Sequence, residues 1–151
     1  MRYSNIQTTW QEVPNEFSLV FSIVGCPLAC KGCHSAKTWN SKAGKALTVT
    51  LLEHYLNQYR DYISCVCFLG GEWHEQQLIE YLQRIRHAKL KTCLYTGLSQ
   101  CLLSQALINQ LDYLKTGSWQ AKLGGLDSPR SNQRFFDLNT HSDLTHVFRR
   151  N

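Results

Sequence analysis

The sequence predicts an α/β fold: a single domain built as a partial, open β/α barrel on a mainly parallel sheet. Short apolar or β-branched runs alternate with amphipathic runs of helical period, an order that produces right-handed crossovers and parallel pairing. The first three of the apolar runs are each closed by a glycine, at Gly25, Gly70 and Gly97. The length, 151 residues, suits one core and about four to five strand–helix units, too few for a closed eight-fold barrel.

Taken in order, residues 1–16 are largely polar around an isolated Trp10 and Pro14 and read as a lead-in segment. Phe17 to Val24 alternates before turning apolar, with the β-branched and aromatic content of a strand. After a turn at Gly44, Thr48 to Arg60 places Leu51, Leu52, Tyr55, Leu56 and Tyr59 at helical spacing, and Thr50 with Glu53 fits a capping box. Ile63 to Leu69 is a short apolar run, read as a buried strand leading into Gly70-Gly71-Glu72. A second helix, His74 to His87, carries Leu78, Ile79, Leu82 and Ile85 on one face. Lys91 to Thr96 is the next strand, Ser99 to Leu111 the next helix, and Asp112 to Thr116 a last strand before Gly117. Residues 118–151 form an irregular tail, anchored by Phe135-Phe136 and Val147-Phe148. In this arrangement the glycine-closed strand ends share one edge of the sheet, where α/β folds carry their reactive groups.

Composition narrows the function classes. A hydrophobic share of 43%, a charged share of 18% and only three prolines and nine glycines are those of a globular chain, not a disordered one. The net charge of +5 is mild and scattered apart from Arg84, Arg86, Lys89, Lys91 and the pair Arg149-Arg150, so nucleic-acid binding is not indicated. No apolar run is long enough to cross a membrane, and the opening Met-Arg-Tyr-Ser-Asn-Ile lacks the layout of a signal peptide. A cytoplasmic location is expected, where clustered cysteines bind metal or act in redox chemistry more often than they form disulfides.

Seven cysteines are present, and three of them fall within eight residues, Cys26-Pro-Leu-Ala-Cys30-Lys-Gly-Cys33, directly after the first predicted strand. One loop can aim these thiols at one point, which suggests a single metal centre. Zinc and an iron–sulfur cluster both remain open on spacing alone. Structural zinc takes four ligands, and here His34 adjoins the third cysteine, poorly placed to reach the same ion, while His74 lies elsewhere. A cubane held by three thiolates leaves one iron open to a substrate or cofactor. Cys65, Cys67 and Cys93 lie in apolar strands and read as small core hydrophobes, and Cys101, early in a helix, reads as structural. Trp39 reads as a core anchor.

The C-x-x-x-C-x-x-C run resembles the signature of the radical S-adenosylmethionine superfamily, with Cys26, Cys30 and Cys33 matching the three cluster ligands. Gly70-Gly71-Glu72 resembles that superfamily's Gly-Gly-Glu motif. Gly32, where most members carry an aromatic, the following Thr38-Trp39, the strand end Tyr95-Thr96-Gly97 and the late Ser131-Asn132-Gln133 together resemble the activating proteins of anaerobic (class III) ribonucleoside-triphosphate reductases. The matches run from about Cys26 to Gln133. Thr116-Gly-Ser-Trp119 departs from that family's Asp-Gly-aromatic segment, and Val13-Pro-Asn-Glu-Phe17 from its glycine-rich approach to the first strand.

The resemblance implies a radical S-adenosylmethionine type barrel holding a [4Fe-4S] cluster and S-adenosyl-L-methionine. It implies that Gly70, Gly71 and Glu72 receive the methionine amino group, that Thr96 lies near the same molecule, and that the His34 backbone meets its adenine. One-electron cleavage of the cofactor would then abstract hydrogen from a glycine near the C-terminus of the large subunit of the anaerobic ribonucleoside-triphosphate reductase. An electron donor such as flavodoxin or ferredoxin is implied as a second partner. Two other readings stay alongside. One is a different small radical enzyme, either another activase or one like 7-carboxy-7-deazaguanine synthase, for which polar ligands on the later strands are expected although Lys115 to Leu123 offers few. The other is a zinc or iron–sulfur binding module without catalysis, which calls for a fourth fixed ligand.

Overall fold

The computed structural model describes residues 1–149; of the basic pair at the end of the sequence, Arg150 lies outside the described residues. Strands β1 (Arg2–Thr9), β2 (Ser18–Ile23) and β3 (Lys45–Ala46) precede helix α1 (Val49–Tyr59). Then β4 (Cys65–Leu69), α2 (Glu75–His87), β5 (Lys91–Tyr95), a four-residue α3 (Gln105–Ile108) and β6 (Tyr113–Thr116) follow, and β7 (Arg134–Asp137) and β8 (Ser142–Asp143) end the sheet. The eight strands form one open sheet in the order β3-β1-β2-β4-β5-β6-β7-β8.

The central strands β2, β4, β5 and β6 are parallel, as the alternating pattern requires. The sheet as a whole is mixed, because four of its seven pairings, all on the two flanks, are antiparallel. This corrects the expected mainly parallel sheet. The lead-in segment is in fact an edge of it. A register shift between Tyr3 and Asn5 breaks the period-2 pattern, so Tyr3 and Ile6 both reach the same core despite their odd spacing. The irregular tail likewise supplies β7 and β8, whose short lengths carry too little periodicity to read. Phe135 is the buried anchor there, with the Phe148 ring 5.0 Å from it, whereas Val147 is exposed.

One face of the sheet carries Leu19, Phe21, Val66, Phe68 and Leu94 against Leu52 and Leu56 of α1 and Leu78, Tyr81, Leu82 and Ile85 of α2. Each such side chain contributes about 1.5–3 kcal/mol on burial. The helix periods in the sequence predict this face well. Thr48, not the Thr50–Glu53 box, caps α1, its hydroxyl accepting from Leu51 N–H at 3.1 Å, and Glu53 instead meets Arg84 at 2.6 Å. The expected helix from Ser99 to Leu111 shrinks to α3 and one 3-10 turn, because Ser104 caps a new helix start in the middle of it. Cys101 consequently lies exposed on that turn and is not a structural residue of a helix.

The opposite face holds a smaller core in which Cys65, Cys67 and Cys93 pack with Val13, Val20, Tyr113 and Phe135. Small side chains here let the segment between β1 and β2 fold under the sheet. Its end is pinned at the N-terminal edge of the parallel strands. Glu16, 4% exposed, accepts from the Lys91 ammonium and from the Tyr113 hydroxyl at 2.9 Å. Burial acts to raise the Glu16 carboxyl, but hydrogen bonds from Lys91, Ser64 and Tyr113 outweigh it and hold the group below the usual carboxylate range. A carboxylate depressed in the folded state stabilises above its unfolded pKa and loses that stability as the pH falls through the folded value. Replacing Glu16 by Gln is therefore expected to cost about 1–2 kcal/mol at neutral pH in urea unfolding. The difference from the wild type shrinks as the pH is lowered below about 4.3, the ordinary glutamate value.

Candidate metal centre

The parallel ladder sets the site. Ser22, Leu69, Tyr95 and Lys115 sit side by side near the C-terminal ends of β2, β4, β5 and β6, so the chain leaves four neighbouring strands along one edge. Cys26 follows the first of these strands, Gly70-Gly71-Glu72 the second, Thr96-Gly97 the third and Gly117 the fourth. A single cavity of about 740 Å³ opens there, walled in part by Cys26, Cys30, Cys33, Glu72, Thr96 and Lys115. His34, Gly70, Gly97 and Gly117 also line it. Gly71 does not reach the cavity; its backbone, at φ 114°, backs onto Ile23.

The cysteine loop is tied down at its start, where Gly25 N–H and Cys26 N–H donate to the Thr38 carbonyl at 2.6 and 3.3 Å. It turns tightly further on, with Cys33 N–H donating to the Cys30 carbonyl at 3.0 Å and Ser35 N–H to the Cys33 sulfur at 3.3 Å. All three thiols are free and half-buried. They do not meet at one point: among the described residues no three His, Cys, Asp or Glu side chains converge to hold a single ion. Convergence is what a lone zinc demands, whereas in a cubane each thiolate bonds its own iron.

Burial pushes the Cys26 thiol up; the Leu28 amide pulls the other way, while Glu72 and the other two thiols add to the rise. The loop thus favours positive charge among its sulfurs. The donor set, three thiols on one loop at the mouth of a roomy cavity, fits an iron–sulfur cluster.

Glu72 adds a second negatively charged group to the cavity wall. Thr96 Oγ1 donates to Glu72 Oε1 at 2.7 Å and itself accepts from Leu98 N–H at 2.9 Å, which fixes the carboxylate. Its other oxygen, Oε2, is buried with no hydrogen-bond partner. Burial raises the Glu72 carboxyl, with the Thr96 hydrogen bond and the backbone amides of Glu72 and Gly71 opposing. An ammonium or another donor entering the cavity would satisfy that oxygen. The turn needs glycine at Gly70, at φ 82°, where a Cβ would lie 2.5 Å from the Trp73 ring.

Lys115 went unrecognised in the sequence as a site residue. Its ammonium is pushed down to about 8 by burial, with the Cys30 and Cys33 thiols and Glu12 opposing, and it donates to the Gly117 carbonyl at 3.1 Å. Glu12, brought in by the segment under the sheet, also lines the cavity, and burial raises its carboxyl. A lone lysine inside the apolar strand Asp112 to Thr116 was the available signal for Lys115; Glu12 had none, because nothing local marks its segment as packed. Trp39, expected in the core, is instead exposed at the cavity rim. Asn132 is spent on the loop itself, donating to the Ser118 carbonyl at 3.0 Å, while Gln133 is buried beside the cavity.

The half-satisfied Glu72 has a stability cost that can be measured. A carboxylate raised in the folded state destabilises as the pH climbs through and above its ordinary range. Glu72→Gln, which cannot ionise, is expected to unfold at higher temperature than the wild type at pH 8 in metal-free protein. The gain is on the order of 1 kcal/mol and vanishes near pH 4.

Among the described residues no helix is long and apolar enough to cross a membrane. A comparison with curated proteins returned no match. A family model described as a 4Fe-4S single cluster domain matches residues 17–134, from the residue before β2 to the first residue of β7, and so takes in the cysteine loop and every strand end that borders the cavity. With more than half of its length matched, and the matched part holding the three-thiol loop, the chain belongs to the 4Fe-4S single cluster domain family.

Proposed function

We propose that the protein is a radical S-adenosylmethionine enzyme whose [4Fe-4S] cluster is held by Cys26, Cys30 and Cys33. The observation that carries this reading is the buried, unpartnered Oε2 of Glu72, a residue that lines the same cavity as those three thiols. Three thiolates leave a fourth corner without a protein ligand, and Glu72 offers an acceptor for an ammonium beside it. When bound, the cluster and S-adenosylmethionine would supply one-electron reductive cleavage of the sulfonium C–S bond and, through it, hydrogen abstraction from a substrate. The chain's own part is to hold and shield these groups. Thr96 orients Glu72, Gly70 makes room for the Trp73 ring, and Lys115 places a cation opposite the Cys30 and Cys33 thiols, available to a carboxylate.

The substrate we assign is a glycine Cα in the C-terminal region of the large subunit of an anaerobic ribonucleoside-triphosphate reductase, with flavodoxin or ferredoxin as electron donor. The resemblance of Tyr95-Thr96-Gly97 and Ser131-Asn132-Gln133 supports this choice. A second reading gains from Lys115 and Glu12, since polar groups on the cavity floor are what a small-molecule substrate needs, as in enzymes like 7-carboxy-7-deazaguanine synthase.

Anaerobic reconstitution with iron and sulfide tests the reading. The reduced protein is expected to show a cubane electron paramagnetic resonance signal that changes when S-adenosylmethionine is added and is lost in Cys30→Ala. Dithionite-reduced protein should then release 5'-deoxyadenosine, and with the reductase present a glycyl radical should form. A cluster indifferent to S-adenosylmethionine sinks the radical reading. Cleavage without any glycyl radical favours the small-molecule substrate.

A further inference from the structure

Two tryptophans flank the cysteine loop, and the indole N–H of each is buried without a hydrogen-bond partner. Trp73 follows the Gly-Gly-Glu turn after β4; a Cβ on Gly25, the residue before Cys26, would lie 3.3 Å from its Nε1. Trp119 comes from the loop after β6; a Cβ on Gly32, the residue before Cys33, would lie 3.7 Å from its Nε1. The Trp119 ring also packs on His34, with centroids 4.3 Å apart. Both tryptophans line the cavity.

An indole nitrogen is a donor only, and a buried donor left unpaired costs about 1–3 kcal/mol. Two such donors, reached from different strands and set against opposite ends of one ligand loop, call for an acceptor that arrives with the cavity's occupant. Sulfur atoms of an anionic cluster are acceptors of this kind, and hydrogen bonds to them shift its potential. We propose that Trp73 and Trp119 donate their indole N–H groups to sulfur atoms of the cluster, one from each side of the loop, and so raise its reduction potential. The reduced cluster carries one more negative charge than the oxidised one, so donors stabilise it more. The inference rests on ligation by Cys26, Cys30 and Cys33, and is independent of S-adenosylmethionine.

The test uses the reconstituted protein with indole-15N tryptophan and its Trp73→Phe and Trp119→Phe variants. Pulsed electron paramagnetic resonance of the reduced wild type should show 15N couplings, and each variant should lose its own. Redox titration should find the midpoint potential of each variant lowered by up to about 59 mV, the one-electron equivalent of a tenfold change. Unchanged potentials with no 15N coupling overturn the inference while leaving cluster ligation intact. Should a variant fail to fold, the coupling in a Trp39→Phe protein, whose rim indole is removed, decides alone: its presence supports the donors, its absence overturns them. A wild type that takes up no cluster overturns the ligand assignment and this inference with it.

Discussion

The structure depends on the register of four parallel strands. Ser22, Leu69, Tyr95 and Lys115 lie in one row of the ladder, so the loops after β2, β4, β5 and β6 depart from a common edge. A one-residue slip in any strand would turn its inward side chains outward and displace its loop. The two cores hold that register from both sides, with the helices over Phe21 and Phe68 and the thiol-rich layer under Val20. At the other edge, Glu16 joins the start of β2 to Lys91 of β5 and Tyr113 of β6. Stability is therefore concentrated at one end of the sheet and chemistry at the other.

That division shows in the polar groups. At the Glu16 end the carboxylate itself is satisfied by Lys91 and Tyr113, and Ser18 Oγ is the buried group there without a partner. More orphans gather at the loop end: Glu72 Oε2, Trp73 Nε1 and Trp119 Nε1, all on residues that line the cavity, are buried and unpartnered. Buried polar atoms normally find partners, so a group of orphans around one cavity marks a place shaped for something else. The charges agree. Burial disfavours the ionised forms of Cys26, Glu72 and Lys115 alike, and a cofactor carrying both iron and a negatively charged sulfur cage would relieve each in turn.

The flanks complete the design. On one side β1 brings the polar N-terminal segment back beneath the sheet, delivering Val13 to the smaller core and Glu12 to the cavity. On the other, the β6–β7 connection brings Trp119 to the cysteine loop, and β7 returns Phe135 to the core. Both antiparallel additions wall a cavity that the parallel strands alone would leave open.

The sequence by itself determined the parallel centre, the two long helices and the cysteine loop, because each is written in local terms. Period 3.6 in Leu78, Leu82 and Ile85, apolar runs closed by Gly70 and Gly97, and three thiols within eight residues need no distant partner to be recognised. Only the tertiary structure decided the flanking strands, the short α3 and half of the site. A bulge hides β1, an internal cap at Ser104 cuts the expected helix, and β7 and β8 are too short for a period to show. Glu12, Lys115, Trp73 and Trp119 matter because strands and loops far apart in the chain carry them to one cavity, and that meeting is a property of sheet order and register, which no single segment encodes.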